Sequence, residues 1–181
     1  MQFNLIHKFF LSRVKFVFLL AALVFSAFKP GIESNEGNEY EVKAMFVLNF
    51  IRYVEWPEKN TNTEFSIGII GESEMAAPLE RIAVQKKVGD KKIIIRKLSA
   101  EDDTYCNIIL VSRERAGKLE LIEKKYAGKG VLIISDESPH SAAINLVKRD
   151  NKIRFEINQA AAKSGGVKIS GQLLQLAITV H

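Results

Sequence analysis

Apolar residues recur along this chain with two different periods, and the changes of period divide it into elements. From Tyr40 onward, Val42, Met45, Phe46, Phe50, Tyr53 and Val54 follow helical spacing. Val47, Leu48 and Ile51 are apolar too, which predicts a helix buried over much of its circumference. Asn49 falls inside that apolar stretch, and its expected role is a satisfied, buried hydrogen bond. Pro57 is expected to stop the helix, because the residue before a proline avoids the helical region.

Residues 65–70 read as a strand closed by Gly71, 74–83 as a helix, 85–88 as a short extended piece and 93–98 as a second strand. A third strand follows over 108–112, then an amphipathic helix over 115–126 that ends at Gly128 and Gly130, then a fourth strand over 131–135. Short apolar strands alternating with helices predict a parallel sheet covered on both faces. The pattern then changes. Residues 143–148 and 152–157 flank Arg149, Asp150 and Asn151 as a β-hairpin. Asn158 is placed to cap a short helix through Ser164, ended by Gly165 and Gly166. After an extended piece over 167–169, a C-terminal helix opens at Ser170 or Gly171 and carries Leu173, Leu174, Leu176, Ala177 and Val180. The expected fold class is α/β. It is a single three-layer domain with a mostly parallel central sheet, an antiparallel hairpin near the C-terminus and flanking helices.

The first 28 residues do not belong to that pattern. Lys8, Arg13 and Lys15 precede a run of 13 residues, Phe16 to Phe28, that is apolar except for Ser26. A basic segment followed by a short apolar one is the pattern of a secretory signal. A spanning helix needs about 20 apolar residues, so the run is short for an anchor. The expected organisation is a signal peptide over 1–28, a flexible polar lead over 29–39 and one domain over 40–181, in the periplasm. The net charge of +5 looks basic, but three of the 26 basic residues lie in the signal segment. No nucleic-acid partner is inferred. A single cysteine, Cys106, cannot form an internal disulfide and is expected to be a buried small hydrophobe.

Candidate chemistry is sparse. Ser73 follows a strand and precedes a helix, the setting of a nucleophile elbow, with Asp136 and His140 in the right chain order for a serine hydrolase. Met75 stands where close approach requires a tiny residue, and Ser73 as a helix cap explains the position equally well. His140 and His181 are the histidines outside the signal segment and form no zinc motif. Glu101, Asp102 and Asp103 lack the spacing of a calcium loop. No nucleotide-binding motif occurs, so neither metal nor cofactor is expected. In open parallel sheets, ligands favour the crevice beyond the carboxyl ends of the strands. Glu72, Ser73, Arg113, Asp136 and His140 lie at those ends and form the candidate pocket of a small-molecule sensor.

Three segments carry a family resemblance. The first is Val42 to Phe50 running on to Tyr53-Val54-Glu55-Trp56-Pro57. The second comprises Cys106-Asn107-Ile108-Ile109-Leu110-Val111-Ser112 and Val131 to Asp136. The third comprises Ile144-Asn145-Leu146, Lys152-Ile153-Arg154-Phe155-Glu156-Ile157-Asn158, Ala160 to Ala162, and Ile169 to Ala177. In order and spacing the chain resembles the YfiR-like family of periplasmic proteins over essentially all of 40–181. The resemblance implies an α/β domain that dimerises and regulates without catalysis. It implies a partner that is a membrane-bound signalling or transport protein, reached through its periplasmic region. In the family's namesake system that partner is a diguanylate cyclase, which is restrained. Family members often carry cysteine pairs, whereas this chain has one cysteine, so redox control through an internal disulfide is not expected. Ser141, Ala142 and Ala143 stand where many members have a glycine-rich stretch. Asn49, Trp56, Pro57, Arg154, Phe155, Glu156 and Asn158 are motif residues with expected structural roles. Arg154 and Glu156 alternate with Phe155 and Ile157 as a strand with one apolar face requires. Trp56 is expected to be a core anchor whose truncation costs about 3–5 kcal/mol.

Overall fold

A computed structural model describes residues 36–57, 63–139 and 142–181. The expected signal peptide and His140 lie outside these residues. Helix α1 spans Glu36–Phe50. It starts earlier than Tyr40 because Glu39 is tied by Lys43, one turn on, and by Lys148. Lys43, Ala44, Val47, Leu48 and Ile51 are buried on one side, while Glu41, Met45, Asn49 and Arg52 are exposed on the other. Asn49 is therefore not the buried polar group expected of it. It sits one helical turn from Met45 on the solvent side, and the buried polar residue of α1 is Lys43.

Pro57 does not end the helix. The α-helix gives way at Ile51–Tyr53 to a single 3-10 turn, and Val54–Glu55 forms strand β1. Strand pairing outweighs local helical preference here. β1 runs antiparallel to β9, Lys168–Ile169, with Val54 opposite Ile169 and Glu55 opposite Lys168. Trp56 follows, partly buried. Its ring meets Phe65 edge-on with centroids 5.2 Å apart, and its Nε1 donates to the Ile51 carbonyl at 3.3 Å.

The main sheet is built from β2 (Glu64–Ile70), β3 (Lys87–Val88), β4 (Lys91–Leu98), β5 (Ile108–Val111), β6 (Leu132–Asp136), β7 (Ile144–Arg149), β8 (Lys152–Ile157) and β10 (Thr179–Val180). The spatial order is β10-β8-β7-β6-β5-β2-β4-β3. The five central strands, β4-β2-β5-β6-β7, are mutually parallel, and antiparallel hairpins β3–β4 and β7–β8 flank them. Asp150 and Asn151 take positive φ values of 49° and 57° in the two-residue turn between Arg149 and Lys152, as a tight hairpin with twist-matched strands requires.

Strand alternation places apolar side chains on both faces. Phe65, Ile67 and Ile69 of β2, Ile108 and Leu110 of β5, and Leu132 and Ile134 of β6 enter one core with α1 and helix α2, Ala76–Ala83. Ile70, Ile109, Val111 and Ile133 enter a second core with Leu119, Ile122 and Tyr126 of α3, Leu119–Tyr126. Cys106 is buried in that second core. The architecture is the expected three-layer α/β domain.

Several boundaries shift. The residues before α3, Arg113–Lys118, form a 3-10 helix that contains Gly117, a poor helix former. Ser73 is not a helix cap. Helix α2 begins at Ala76 behind Met75, and Ser73 Oγ accepts from Met75 N in the preceding turn at 3.3 Å. Helix α4, Gln159–Gly165, is capped by Asn158, whose Oδ1 accepts from Ala161 N. The C-terminal helix α5 is only Gly171–Leu176. Residues 177–181 leave it because β8 has an open edge. Ile178 N donates to the Phe155 carbonyl and His181 N to the Ile157 carbonyl, which makes Thr179–Val180 a parallel strand there.

Because Trp56 keeps part of its surface in solvent, its truncation removes less apolar contact than a fully buried indole would. Trp56→Ala is expected to cost about 2–3 kcal/mol, below the roughly 3–5 kcal/mol of a buried aromatic. Urea denaturation of the purified variant measures this. A loss under 1 kcal/mol would show that the β1–β9 ladder holds the end of α1 without the indole.

Candidate functional site: a buried lysine at the carboxyl end of the sheet

Among the described residues, one cation is fully buried inside the domain. Lys43, on the buried face of α1, has a fully inaccessible side chain. A bare ammonium there would be prohibitively desolvated, so its three donors must all find partners. Its Nζ lies 2.7 Å from Glu39 Oε1, 2.8 Å from Asp136 Oδ1 and 3.0 Å from Glu137 Oε1. Glu39 is one turn back on the same helix. Asp136 ends β6, and Glu137 follows it.

The carboxylates extend the network. Glu39 Oε2 pairs with Lys148 of β7 at 2.7 Å, and Glu137 Oε2 pairs with Arg113, just after β5, at 2.7 Å. Charges therefore alternate along Arg113, Glu137, Lys43, Glu39 and Lys148, with Asp136 as a branch. Three cations meet three anions, so the group is neutral while it bolts α1 to the carboxyl ends of β5 and β6 and to β7.

Burial alone would push the Lys43 ammonium down, but hydrogen bonds to Asp136 and Glu39 outweigh it and hold it well above its ordinary 10.5. Burial alone would raise the Glu39 carboxyl, but hydrogen bonds from Lys148 and Lys43 hold it below its ordinary 4.5. Tyr40, whose ring has Lys43 Nζ 5.1 Å from its centroid, is pushed up by burial and by the charge of Glu74. A lysine held charged, with every donor taken, is neither a general base nor a nucleophile.

The loop that carries two of the carboxylates is itself clamped. Glu137 has φ of 49°, a left-handed conformation that costs a non-glycine residue about 1 kcal/mol or more. Its N–H donates to the Leu146 carbonyl at 2.8 Å. Asn145, buried in β7, accepts from Ser135 Oγ at 2.8 Å and from Ser138 N at 3.1 Å. Its Nδ2 donates to the Ser138 carbonyl at 3.1 Å and to Glu156 Oε2 at 3.2 Å. Glu156 in turn lies 3.6 Å from Arg149. The ion partner of Glu156 is thus Arg149 of the neighbouring strand, while Arg154 is exposed and Phe155 is buried against Phe46 and Phe50.

The residues proposed from sequence as a pocket separate into two groups. Arg113 and Asp136 join the lysine network. Glu72 and Ser73 lie in the turn after β2, where Glu72 N donates to Glu114 Oε1 at 3.1 Å. A cleft of about 230 Å³ opens there between the carboxyl ends of β2 and β4, lined by Gly71, Glu72, Ser99, Glu114 and Arg115 among others. Ser73, Arg113 and Asp136 do not line it. Asp136 is engaged by an ammonium, so the carboxylate that a hydrolase would use to orient an imidazole is already committed. Lys43 and Asn145 were not singled out from the sequence as site residues, whereas Glu137 lies within the 135–140 segment expected at the candidate pocket. The available signal for Lys43 was a lone charge inside an apolar helical run with a glutamate four residues before it.

Among the described residues, no helix is long and apolar enough to cross a membrane, and no group of three or more His, Cys, Asp or Glu side chains is placed to hold a metal ion. The profile of the family described as YfiR/HmsC-like matches residues 40–178 of the chain. No curated protein matches it.

The network fixes a pH window. Glu39, with its depressed value, contributes stability that is full above 4.5 and is lost as pH falls through the folded-state value. Lys43, with its raised value, contributes stability that is full below 10.5 and is lost as pH rises through the folded-state value. Urea midpoints should therefore form a plateau between these limits. Lys43→Met leaves three carboxylates facing one another and should cost about 3–5 kcal/mol at neutral pH. The deficit should shrink in acid as the carboxylates are neutralised. A variant with an unchanged midpoint would remove the lysine from its role as the fastener of α1.

Proposed function

The chain belongs to the YfiR/HmsC-like family, and on that premise we propose that it is an exported, non-catalytic module that regulates by binding. Members of the family are periplasmic regulators rather than catalysts. The partner on this reading is the extracytoplasmic part of a membrane protein, and the output is restraint of a membrane-bound diguanylate cyclase. The observation that carries the non-catalytic part is the saturation of Lys43. The most buried charged group of the domain has every donor occupied and its carboxylate partners engaged, which suits a rigid scaffold and not a reacting centre. A rigid scaffold favours protein recognition because little conformational freedom is lost on docking.

A second reading is favoured by one observation. The cleft between the carboxyl ends of β2 and β4 lies at the place in an open parallel sheet where small ligands bind. Beside it, Ser112 Oγ is buried with no hydrogen-bond partner among the described residues. On this reading the protein senses a small polar molecule. A thermal-shift screen of small polar metabolites should then raise the unfolding midpoint of the native protein. Loss of that shift in Glu72→Ala would place the ligand in this cleft. A silent screen would leave the cleft without a role.

Cross-linking in intact cells, followed by capture of this protein, should recover one dominant membrane protein. Deletion of the gene should raise cyclic-di-GMP if the output is a cyclase. Recovery of no membrane partner from expressing cells would remove the binding reading. An unchanged second-messenger level beside a captured partner would move the output to another kind of membrane protein.

A further inference from the structure

At the β3 edge of the sheet, a groove of about 320 Å³ runs between the end of α1 and the β3–β4 hairpin. Its apolar floor includes Leu48, Ile51 and Ile93, all buried. Asn49, Arg52, Lys86 and Lys87 line it and are exposed. Two nearby surface cations have carboxylate partners, Arg81 with Glu41 and Arg96 with Glu64. Among the described residues, no ion pair holds Arg52, Lys86 or Lys87. Asp90 in the hairpin turn is the one acid between Lys86 and Lys92.

Four features agree on the occupant. The cations give the groove a single sign of charge, which attracts an acidic segment and steers its approach. The Arg52 guanidinium can take a carboxylate bidentately, and Asn49 adds an amide that both donates and accepts. The floor takes an apolar side chain. Strand β3 pairs with β4 alone, so its outer backbone is open to an extended segment. A second copy of this chain pairing symmetrically at this edge would crowd Lys86 and Lys87 of both copies together, which like-charge repulsion disfavours.

We propose that this groove docks an acidic, partly apolar segment of the partner protein, with carboxylates on Arg52, Lys86 and Lys87, a contact at Asn49 and an apolar side chain over Leu48, Ile51 and Ile93. The proposal deepens the binding-module reading and rests on it. It also gives Asn49 a reason to occupy the solvent side of a helix whose other face is saturated.

The test is fluorescence anisotropy of a short labelled peptide, glutamates around a central leucine, titrated with the purified protein at low salt. Binding is expected, weakening as salt rises. The double variant Lys86→Glu/Lys87→Glu should weaken it by roughly tenfold or more. Asn49→Ala should weaken it less, and Lys163→Glu on α4 should leave it unchanged. Circular dichroism establishes that each variant is folded. Absence of binding, equal binding by the double variant, or binding only to vesicles containing phosphatidylglycerol would overturn the proposal. Cellular cross-linking with the same double variant separates the two readings. If the unaltered protein captures a membrane partner and the double variant captures it equally, the groove is wrong and the binding module stands. If the unaltered protein captures none, the module reading falls whatever the peptide does.

Discussion

The tie between α1 and the end of β6 depends on one ammonium group. Lys43 Nζ draws three carboxylates to within 3.0 Å of a point inside the protein, one for each of its donors. Removing a charge from water costs several kcal/mol, so the contact persists only because each donor is met and each carboxylate is engaged in turn. Its contribution is best seen as one of position. Helix α1 could slide along an apolar sheet face with little loss of burial, since hydrophobic contact is non-directional. The lysine removes that freedom and sets the register of α1 against β6 and β7.

The loop of Asp136 and Glu137 shows how such a point is prepared. Glu137 adopts a backbone conformation that it would not choose alone. Asn145 holds the loop in that conformation from the next strand through three hydrogen bonds, one from Ser135 and two with Ser138. Its neighbours Ile144 and Leu146 are simply core residues, so the Ile-Asn-Leu segment combines two jobs in one strand. The acidic pair can present its oxygens to Lys43 only because the strand beside it keeps the loop from relaxing. The hydrogen bonds of Asn145 and the charge of Lys43 therefore offset the backbone strain at Glu137 from opposite sides.

Much of the fold was legible in the sequence because alternation and helical spacing are local. β2, β5 and β6 were visible as short apolar runs, the β7–β8 hairpin from Arg149-Asp150-Asn151, and the α4 cap from Asn158. What escaped was long-range. Lys43 meets Asp136 across 93 positions, and nothing within a few residues of either one advertises the other. Asn49 was expected to be buried because the helix is apolar over much of its circumference, yet the exposed stripe contains Met45 as well as Asn49. The C-terminal helix was overextended for a related reason. Leu173, Leu174, Leu176 and Ala177 suit a helix, but the open edge of β8 supplies backbone partners that spacing alone cannot reveal. The family resemblance was legible because its motifs are mostly core and capping residues. The groove at the β3 edge was not, because it is assembled from α1 and a hairpin that the sequence keeps well apart.

The ladder between β1 and β9 has a consequence for the order of assembly. Glu55 and Lys168 are separated by 113 positions, so the two strands close one of the longest loops in the domain. Closing a loop costs entropy that grows with its length, and contacts of this kind form late. While the chain is still emerging, the segment after α1 has no strand to pair with. Val54 then lacks its cross-strand neighbour Ile169, and its apolar side chain stays less covered until that part of the chain is available. An unfinished chain carries an apolar surface that the finished one covers, and it is in that interval that a chaperone or a protease has something to grip.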